Sequence, residues 1–339
     1  MDAAYRSSRL DVAEPGLYFC PDGNVAKLIG RKDLSKKKQA IQNLHKLDKR
    51  WNAVIPLFLA LWLSSASMAL STESLVVKVV AYLISGLALS TLAVLAHESV
   101  HNLFTHNPKI DRWIGFLCSI PILLSPTGYR LRHPLHHKNV RNQGDPDDIE
   151  NISRNSNLLT TLHLVMLFFG VYLFLVDVPM KSYRQAPSSV RFRILVEILA
   201  ILSVHALAWA IFPTRVMIGG WLIPLLVAVQ IANIRGMAEH GLTSSGNEFI
   251  DTRTVRCNPV LSFLMCHVNY HLEHHLFPGV PWYNLPKLHC VLKEEFLLAG
   301  SSVYTSYSSF LYDALKVLRA GVFPRNRLIP RQVRDRVCL

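Results

Sequence analysis

Features that mark secreted or thiolate-metal proteins are missing from this chain. Its first 50 residues hold no apolar run, so no cleavable signal peptide is expected. The six cysteines, Cys20, Cys118, Cys257, Cys266, Cys290 and Cys338, are scattered with no CxxC pair. That spacing gives no thiolate zinc site and no disulfide framework, and fits reduced thiols in a cytosolic environment. There is no internal repeat and no low-complexity segment. Charge is sparse, at 17% of residues, and acid is the scarcer sign: 23 Asp and Glu stand against 36 Lys and Arg, a net +13. Much of the excess lies in Lys36-Lys37-Lys38, Lys49-Arg50 and a tail from Arg325 to Arg336. These groups flank apolar spans, so the positive-inside rule and anionic lipid headgroups explain them, and no nucleic-acid partner is expected.

What the chain does have is apolar length. Half of its 339 residues are hydrophobic and its mean hydropathy is positive, the composition of a membrane protein with a sizeable polar part. After a polar N-terminal segment, residues 1–50, amphipathic from about 34 to 47, two runs at 53–70 and 75–95 are each long enough to cross a bilayer and are joined only by Ser71-Thr72-Glu73-Ser74. The run 113–124 is too short to cross and is expected to lie in the interface or to dip in and return. Three further runs cover 158–176, 194–212 and 217–234. Lys181, Arg184, Arg191 and Arg193 mark the loop after the first of these as cytosolic, and only Pro213-Thr214-Arg215-Val216 links the other two. If all the histidines described below share one side, the run 158–176 does not cross. The expected fold is therefore an all-α polytopic membrane protein with about four transmembrane helices, interfacial helices and a cytosolic helical cap. The membrane domain covers residues 51–300, an amphipathic and basic tail covers 301–339, and both termini face the cytosol.

Fifteen histidines are present, and nine of them fall at the ends of apolar runs. They form His97-Glu98-Ser99-Val100-His101, His133-Pro134-Leu135-His136-His137, His271-Leu272-Glu273-His274-His275 and a single His240. Residues three and four apart share a helix face, so each box can aim two or three imidazoles at one point. Eight or nine imidazoles are too many for one tetrahedral zinc and about right for two metals with open positions. A single histidine is usually a hydrogen-bonded core or surface residue; three clusters at ligand spacing are not. The first box also reads as H-E-x-x-H, in which His97 and His101 bind zinc and Glu98 is the general base of an intramembrane metalloprotease. That alternative leaves two boxes unexplained.

The boxes carry a resemblance to the membrane fatty acid desaturase superfamily, over roughly residues 50–300. The matching residues are His97 to His101 beside a span, His133 to His137 some thirty residues on, and Asn269-Tyr270-His271-Leu272-Glu273-His274-His275-Leu276-Phe277-Pro278. The resemblance implies a di-iron centre that uses O2 and two electrons. It implies iron ligation by His97, His101, His133, His136, His137, His271, His274 and His275, with His240 as an extra ligand. It implies a lipid or acyl substrate, and desaturation or, alternatively, hydroxylation or oxo-insertion on a lipid or carotenoid. Family members often carry a fused cytochrome b5 with a haem-binding His-Pro-Gly-Gly motif. None is present, so a separate ferredoxin or cytochrome b5 type electron donor is expected.

Ligating histidines usually give their second N–H to a carboxylate or carbonyl. Glu98, Asp145, Asp147, Glu239 and Glu273 are near enough in sequence to serve, each with the competing reading of a solvated charge or helix cap. Asn269 is a candidate for a water-mediated ligand or a local capping residue. His163 and His205 lie within apolar runs and are expected to be neutral and hydrogen-bonded. His267 and His289 are expected to flank the site or the surface.

Overall fold

In the computed structural model the chain is described over residues 34–321, apart from 143, 150–152, 154, 173–177 and 244. Both termini and the basic tail from Arg325 lie outside the described residues. Helix α1 (Leu34–Leu44) precedes a 3-10 turn and the first apolar helix, α2 (Val54–Ser71). A hairpin turns at 72–74, and Ser74 caps the next helix, α3 (Leu75–Val100), by accepting the N–H of Val77. Helix α4 (Pro108–Ser119) runs into a turn at Leu123, which takes a left-handed φ of 59°, and α5 (Pro126–Asn139) leaves at 101° to the preceding helical stretch. Helices α6 (Ser156–Tyr172), α7 (Val178–Gln185), α8 (Ser188–Ile211) and α9 (Ile223–His240) follow.

Four helical stretches are long and apolar enough to cross a membrane: Lys37–Ser71, Leu75–Val100, Ser188–Ile211 and Thr214–His240. The run at 158–176 is not among them, because its helix is shorter. On α8 the side chains of Phe192, Leu199, Leu202, Leu207 and Ile211 are exposed, and such a row of apolar surface on a helix needs lipid rather than water. The multi-pass membrane architecture follows.

The helices outrun the apolar stretches that mark them in sequence. α3 continues through His97 and Glu98 to Val100, and α9 continues to His240. Hydropathy reports where hydrocarbon ends, whereas a helix ends where its carbonyls find other partners. For α3 those partners sit on α5: Arg130 donates to the carbonyls of Val100, at 3.0 Å, and Ser99. The first box therefore lies on the span itself, not after it.

Two carboxylates buried among the helices fix the rest of this end. Asp111 on α4 accepts the N–H groups of Phe104 and Thr105 at 3.0 and 3.3 Å and holds the loop that follows the first box. Glu197 on α8 accepts from Ser125 Oγ at 2.7 Å and from Thr127 N and Oγ1 at 3.0 and 2.5 Å, closing the N-terminus of α5. An acidic residue inside an apolar run is costly unless partnered, and here the partners are the exposed donors of a helix start.

Beyond His240 the chain forms short helices, among them α10 (His271–Leu276) and α11 (Leu285–Val291), and the last described helix is α12 (Tyr307–Ala320). A two-residue parallel pair, β1 (Thr254–Val255) with β2 (Val303–Tyr304), clips these segments together. Three apolar clusters meet around the histidines. One joins Phe58, Leu92 and Leu95 of the spans to Trp282. One packs Leu272 and Leu276 of α10 against Leu285, Leu288 and Phe296. The third packs Leu159 and Met237 against Phe310 and Leu318. Leu272 and Leu276 are four apart on α10, so burying them fixes the helix rotation and turns its histidines toward the spans.

Candidate metal centre

All nine histidines converge, in two groups. The ring nitrogens of His97, His101, His133, His137 and His274 lie within 4.8 Å of one another, and so do those of His136, His240, His271 and His275. Within the first, His101 Nε2 is 3.0 Å and His137 Nε2 2.8 Å from His133 Nε2. Within the second, His240 Nε2 is 2.9 Å from His271 Nε2 and 3.3 Å from His136 Nε2. The two groups touch where the rings of His137 and His275 stack at 4.1 Å.

The boxes do not act as units. Each pair at i, i+4 stays together: His97 with His101, His133 with His137, His271 with His275. Each histidine at i+3 crosses over, so His136 leaves its box for the four-membered group and His274 leaves its own for the five-membered group. Four residues are 400° around a helix and three are 300°, so the i+3 ring points about 100° away from its i+4 neighbour. α5 and α10 thus each feed both groups.

The donor set fits metal. Both nitrogens of His97, His274 and His275, and Nδ1 of His137 and His271, are buried with no hydrogen-bond partner. Buried polar atoms are nearly always paired, and a cation between the rings would satisfy the lone pair that each neutral imidazole carries. Imidazole nitrogen suits iron, zinc, copper or nickel, and five donors in one group exceed a tetrahedral zinc shell. On α10 burial holds His271, His274 and His275 well below the usual histidine range, with neighbouring imidazoles adding to the effect, so the lone pairs are available at neutral pH.

The outer partners are only partly those nearest in sequence. His136 Nδ1 donates to Asp145 Oδ1 at 2.9 Å, which leaves Nε2 facing its group. Asp147 is 3.7 Å from the same nitrogen, but it is exposed and pairs with Arg132 at 2.6 Å. Glu239 lies 3.6 Å from His271 Nε2 and 3.1 Å from Arg235. Glu98 is 3.5 Å from His97 Nδ1 and also accepts the N–H of Trp282 at 3.2 Å. Glu273 faces away from the groups, taking Thr254 Oγ1 at 2.6 Å and the ring of His289. Asn269 ties the adjacent backbone, accepting from Ser262 Oγ at 2.8 Å and donating to Val255 O at 2.9 Å.

Sequence distance hid other partners. His240 Nδ1 donates to the carbonyl of Asp251 at 3.2 Å, and Glu248 lies 3.5 Å from His275 Nδ1. The Tyr129 ring stacks on His133 at 5.1 Å. Arg253 is fully buried and donates to the carbonyls of Ala238, at 3.0 Å, and Gly241, at 2.6 Å, capping the helix end that carries His240. Glu197, which caps α5, did have a signal in sequence, as an acid within an apolar run. His163 and His205 donate to the carbonyls four residues back at 2.8 and 2.9 Å, the hydrogen bonding expected of them.

Comparison with known proteins agrees with this site. The family described as fatty acid desaturase matches residues 73–307, which include every histidine of both groups. The chain is 28% identical over 263 residues to a sphingolipid delta(4)-desaturase of Drosophila melanogaster, covering 73% of this chain and 75% of that one. It is 24% identical over 303 residues to a sphingolipid delta(4)-desaturase-like protein of Oryza sativa subsp. japonica, covering 87% and 88%. It is 25% identical over 278 residues to a sphingolipid delta(4)-desaturase/C4-monooxygenase of Bos taurus, covering 78% and 81%. The peptidase alternative falls with these matches, since His97 and His101 belong to a group of five imidazoles. The chain belongs to the fatty acid desaturase family and is a membrane oxidoreductase of lipid metabolism.

Proposed function

We propose that this protein is an O2-dependent desaturase that introduces a double bond into the fatty acyl chain of a lipid, with two irons held by the nine histidines. The observation that carries this reading is the division of those histidines into groups of five and four in contact with each other. His97, His101, His133, His137 and His274 would hold one iron, and His136, His240, His271 and His275 the other. Two irons with O2 supply the oxidising power to break an unactivated C–H bond, which no side chain has.

The chain's own residues provide position and dryness. Asp145, the Asp251 carbonyl and Glu248 orient His136, His240 and His275. The apolar clusters around α10 keep water from the rings, and the spans bring an acyl chain to them from the bilayer. Desaturation removes one hydrogen from each of two adjacent methylenes. With two electrons from a separate ferredoxin or cytochrome b5 type donor, that balances the reduction of O2 to two waters. Lys181, Arg184, Arg191 and Arg193 support a cytosolic placement of this end, with both termini on the same side. The names of the relatives described above favour a sphingolipid chain, and the bovine name favours hydroxylation as the second outcome at the same site.

The test is metal content of the detergent-purified protein beside a His136→Ala/His274→Ala variant, which removes one ring from each group. About two irons per chain in the parent and their loss in the variant are expected. One zinc that survives both substitutions would overturn the reading. Lipid profiles with and without the active protein, reconstituted with a donor, then separate a new double bond from a new hydroxyl.

A further inference from the structure

At the opposite end of the bundle, both outer turns meet over an open cleft of about 360 Å³. Its walls include Leu70 from the end of α2, Lys78 and Tyr82 from the first turns of α3, and Arg215, Ile218 and Gly219 from the start of the last span. Lys78 precedes His97 by 19 residues on one continuous helix, about 28 Å at 1.5 Å per residue. A bilayer's hydrocarbon is roughly 30 Å thick, so the cleft lies at the membrane face away from the histidines.

Cations at that depth need an account. Lys78 sits one turn inside an apolar span, half-buried, and its ammonium makes no ion pair or hydrogen bond among the described residues. Arg215 is anchored by one donor, Nη2 to the Leu70 carbonyl at 3.0 Å, and has no carboxylate within ion-pair distance among the described residues. The backbone at 218–222 winds into a π-helical turn, a rare widening that recurs at functional sites. Gly219 sits in that turn, where a Cβ would come within 2.4 Å of Leu70 Cδ2 and 3.0 Å of Tyr82 Oη. Glycine thus lets the last span approach α2 and α3 closely, where Tyr82 lines the same cleft as the two cations.

We propose that this cleft binds the phosphate of an anionic phospholipid headgroup. Lys78 supplies a point charge, Arg215 a fork of N–H donors and Tyr82 a hydroxyl donor, while Leu70 and Ile218 offer an apolar wall to the first methylenes of an acyl chain. The two cations repel the ammonium that a zwitterionic lipid carries beside its phosphate, so the site selects lipids of net negative charge. It is separate from the histidine centre and does not depend on what that centre does.

The test is native mass spectrometry of the full-length, detergent-purified protein, titrated in separate arms with phosphatidylglycerol, phosphatidylcholine and inorganic phosphate. Phosphatidylglycerol is expected to bind at least about tenfold more tightly than phosphatidylcholine. Lys78→Gln/Arg215→Gln should abolish that preference, and Lys78→Arg, which keeps the charge, should retain it. Thermal unfolding of each variant checks that it is folded, and the Lys78→Arg comparison carries the test if the double variant is not. Equal binding of the two lipids, or an unchanged preference in the folded double variant, overturns the site. Displacement of phosphatidylglycerol by equimolar inorganic phosphate would overturn the lipid as its ligand in favour of free phosphate.

Discussion

Replacing Asp145 by Asn should cost one metal and spare the other. Its carboxylate accepts three donors: Oδ1 takes His136 Nδ1 at 2.9 Å and the Asp147 N–H at 2.9 Å, and Oδ2 takes the Arg141 N–H at 2.9 Å. Burial alone would raise its pKa, but these bonds, that from His136 foremost, hold it below the usual carboxylate range, so the group is ionised at neutral pH. An amide has one acceptor oxygen, so in the Asp145→Asn variant the new NH2 group must face either the imidazole and the Asp147 N–H or the Arg141 N–H. Either choice sets donor against donor in a buried site and loses a charge-assisted bond worth about 1.5–3 kcal/mol. Loss of such an outer partner typically lowers metal affinity about 10–100-fold. His136 belongs to the four-membered group alone, and none of the five rings of the other group bonds to Asp145. Competition with a graded chelator, read as iron per chain, should therefore show two phases in the variant, with only one shifted by that factor. Equal weakening of both irons, or no change in either, would refute the division of the histidines into two groups.

Three further outcomes follow from particular contacts. A Cβ on Gly115 would come within 2.1 Å of Ser99 Oγ, where α4 crosses α3, so Gly115→Ala should destabilise by about 1–3 kcal/mol in a thermal or denaturant melt, and Ser99→Gly in the same chain should recover most of it. Arg253→Met should cost on the order of 3 kcal/mol, because it strips buried carbonyls of a charged partner, and should weaken the iron at the four-membered group by freeing the helix end at His240; unchanged chelator curves would refute that link. Burial lowers His267 to about 4. An unfolded histidine takes its proton near pH 6.5, so the stability this group contributes is complete above about pH 6.5 and is lost as pH falls toward 4. His267→Gln should flatten that part of the apoprotein's stability–pH curve.

Much of this architecture was legible in the residues because it rests on local rules. Bilayer thickness turns apolar length into spans, and helical periodicity makes His97 and His101, or His133 and His137, neighbours wherever their helices go. Charges around 181–193 set the helix at 156–172 apart from the spans, and it is not among the four helical stretches long and apolar enough to cross. Span ends were less legible: α3 and α9 run on into their histidines because Arg130 and Arg253 donate to the last carbonyls, and Arg130 is distant in sequence from α3 while Arg253 lies past a turn from α9. Nearness in sequence did not decide the partners of Glu273, which takes Thr254 Oγ1 and the ring of His289, or of Asn269, two residues before the third box, which ties Ser262 and Val255.

By itself the sequence determined that this is a helical membrane protein with three histidine boxes at ligand spacing, since composition and spacing decide that without long-range contacts. Only the tertiary structure decided which rings lie together. Helix geometry sends the i+3 ring about 100° away from its i+4 neighbour. Whether that ring finds a second set of donors depends on what packs beside it, and burial of Leu272 and Leu276 together with the capping of α5 by Glu197 sets that arrangement.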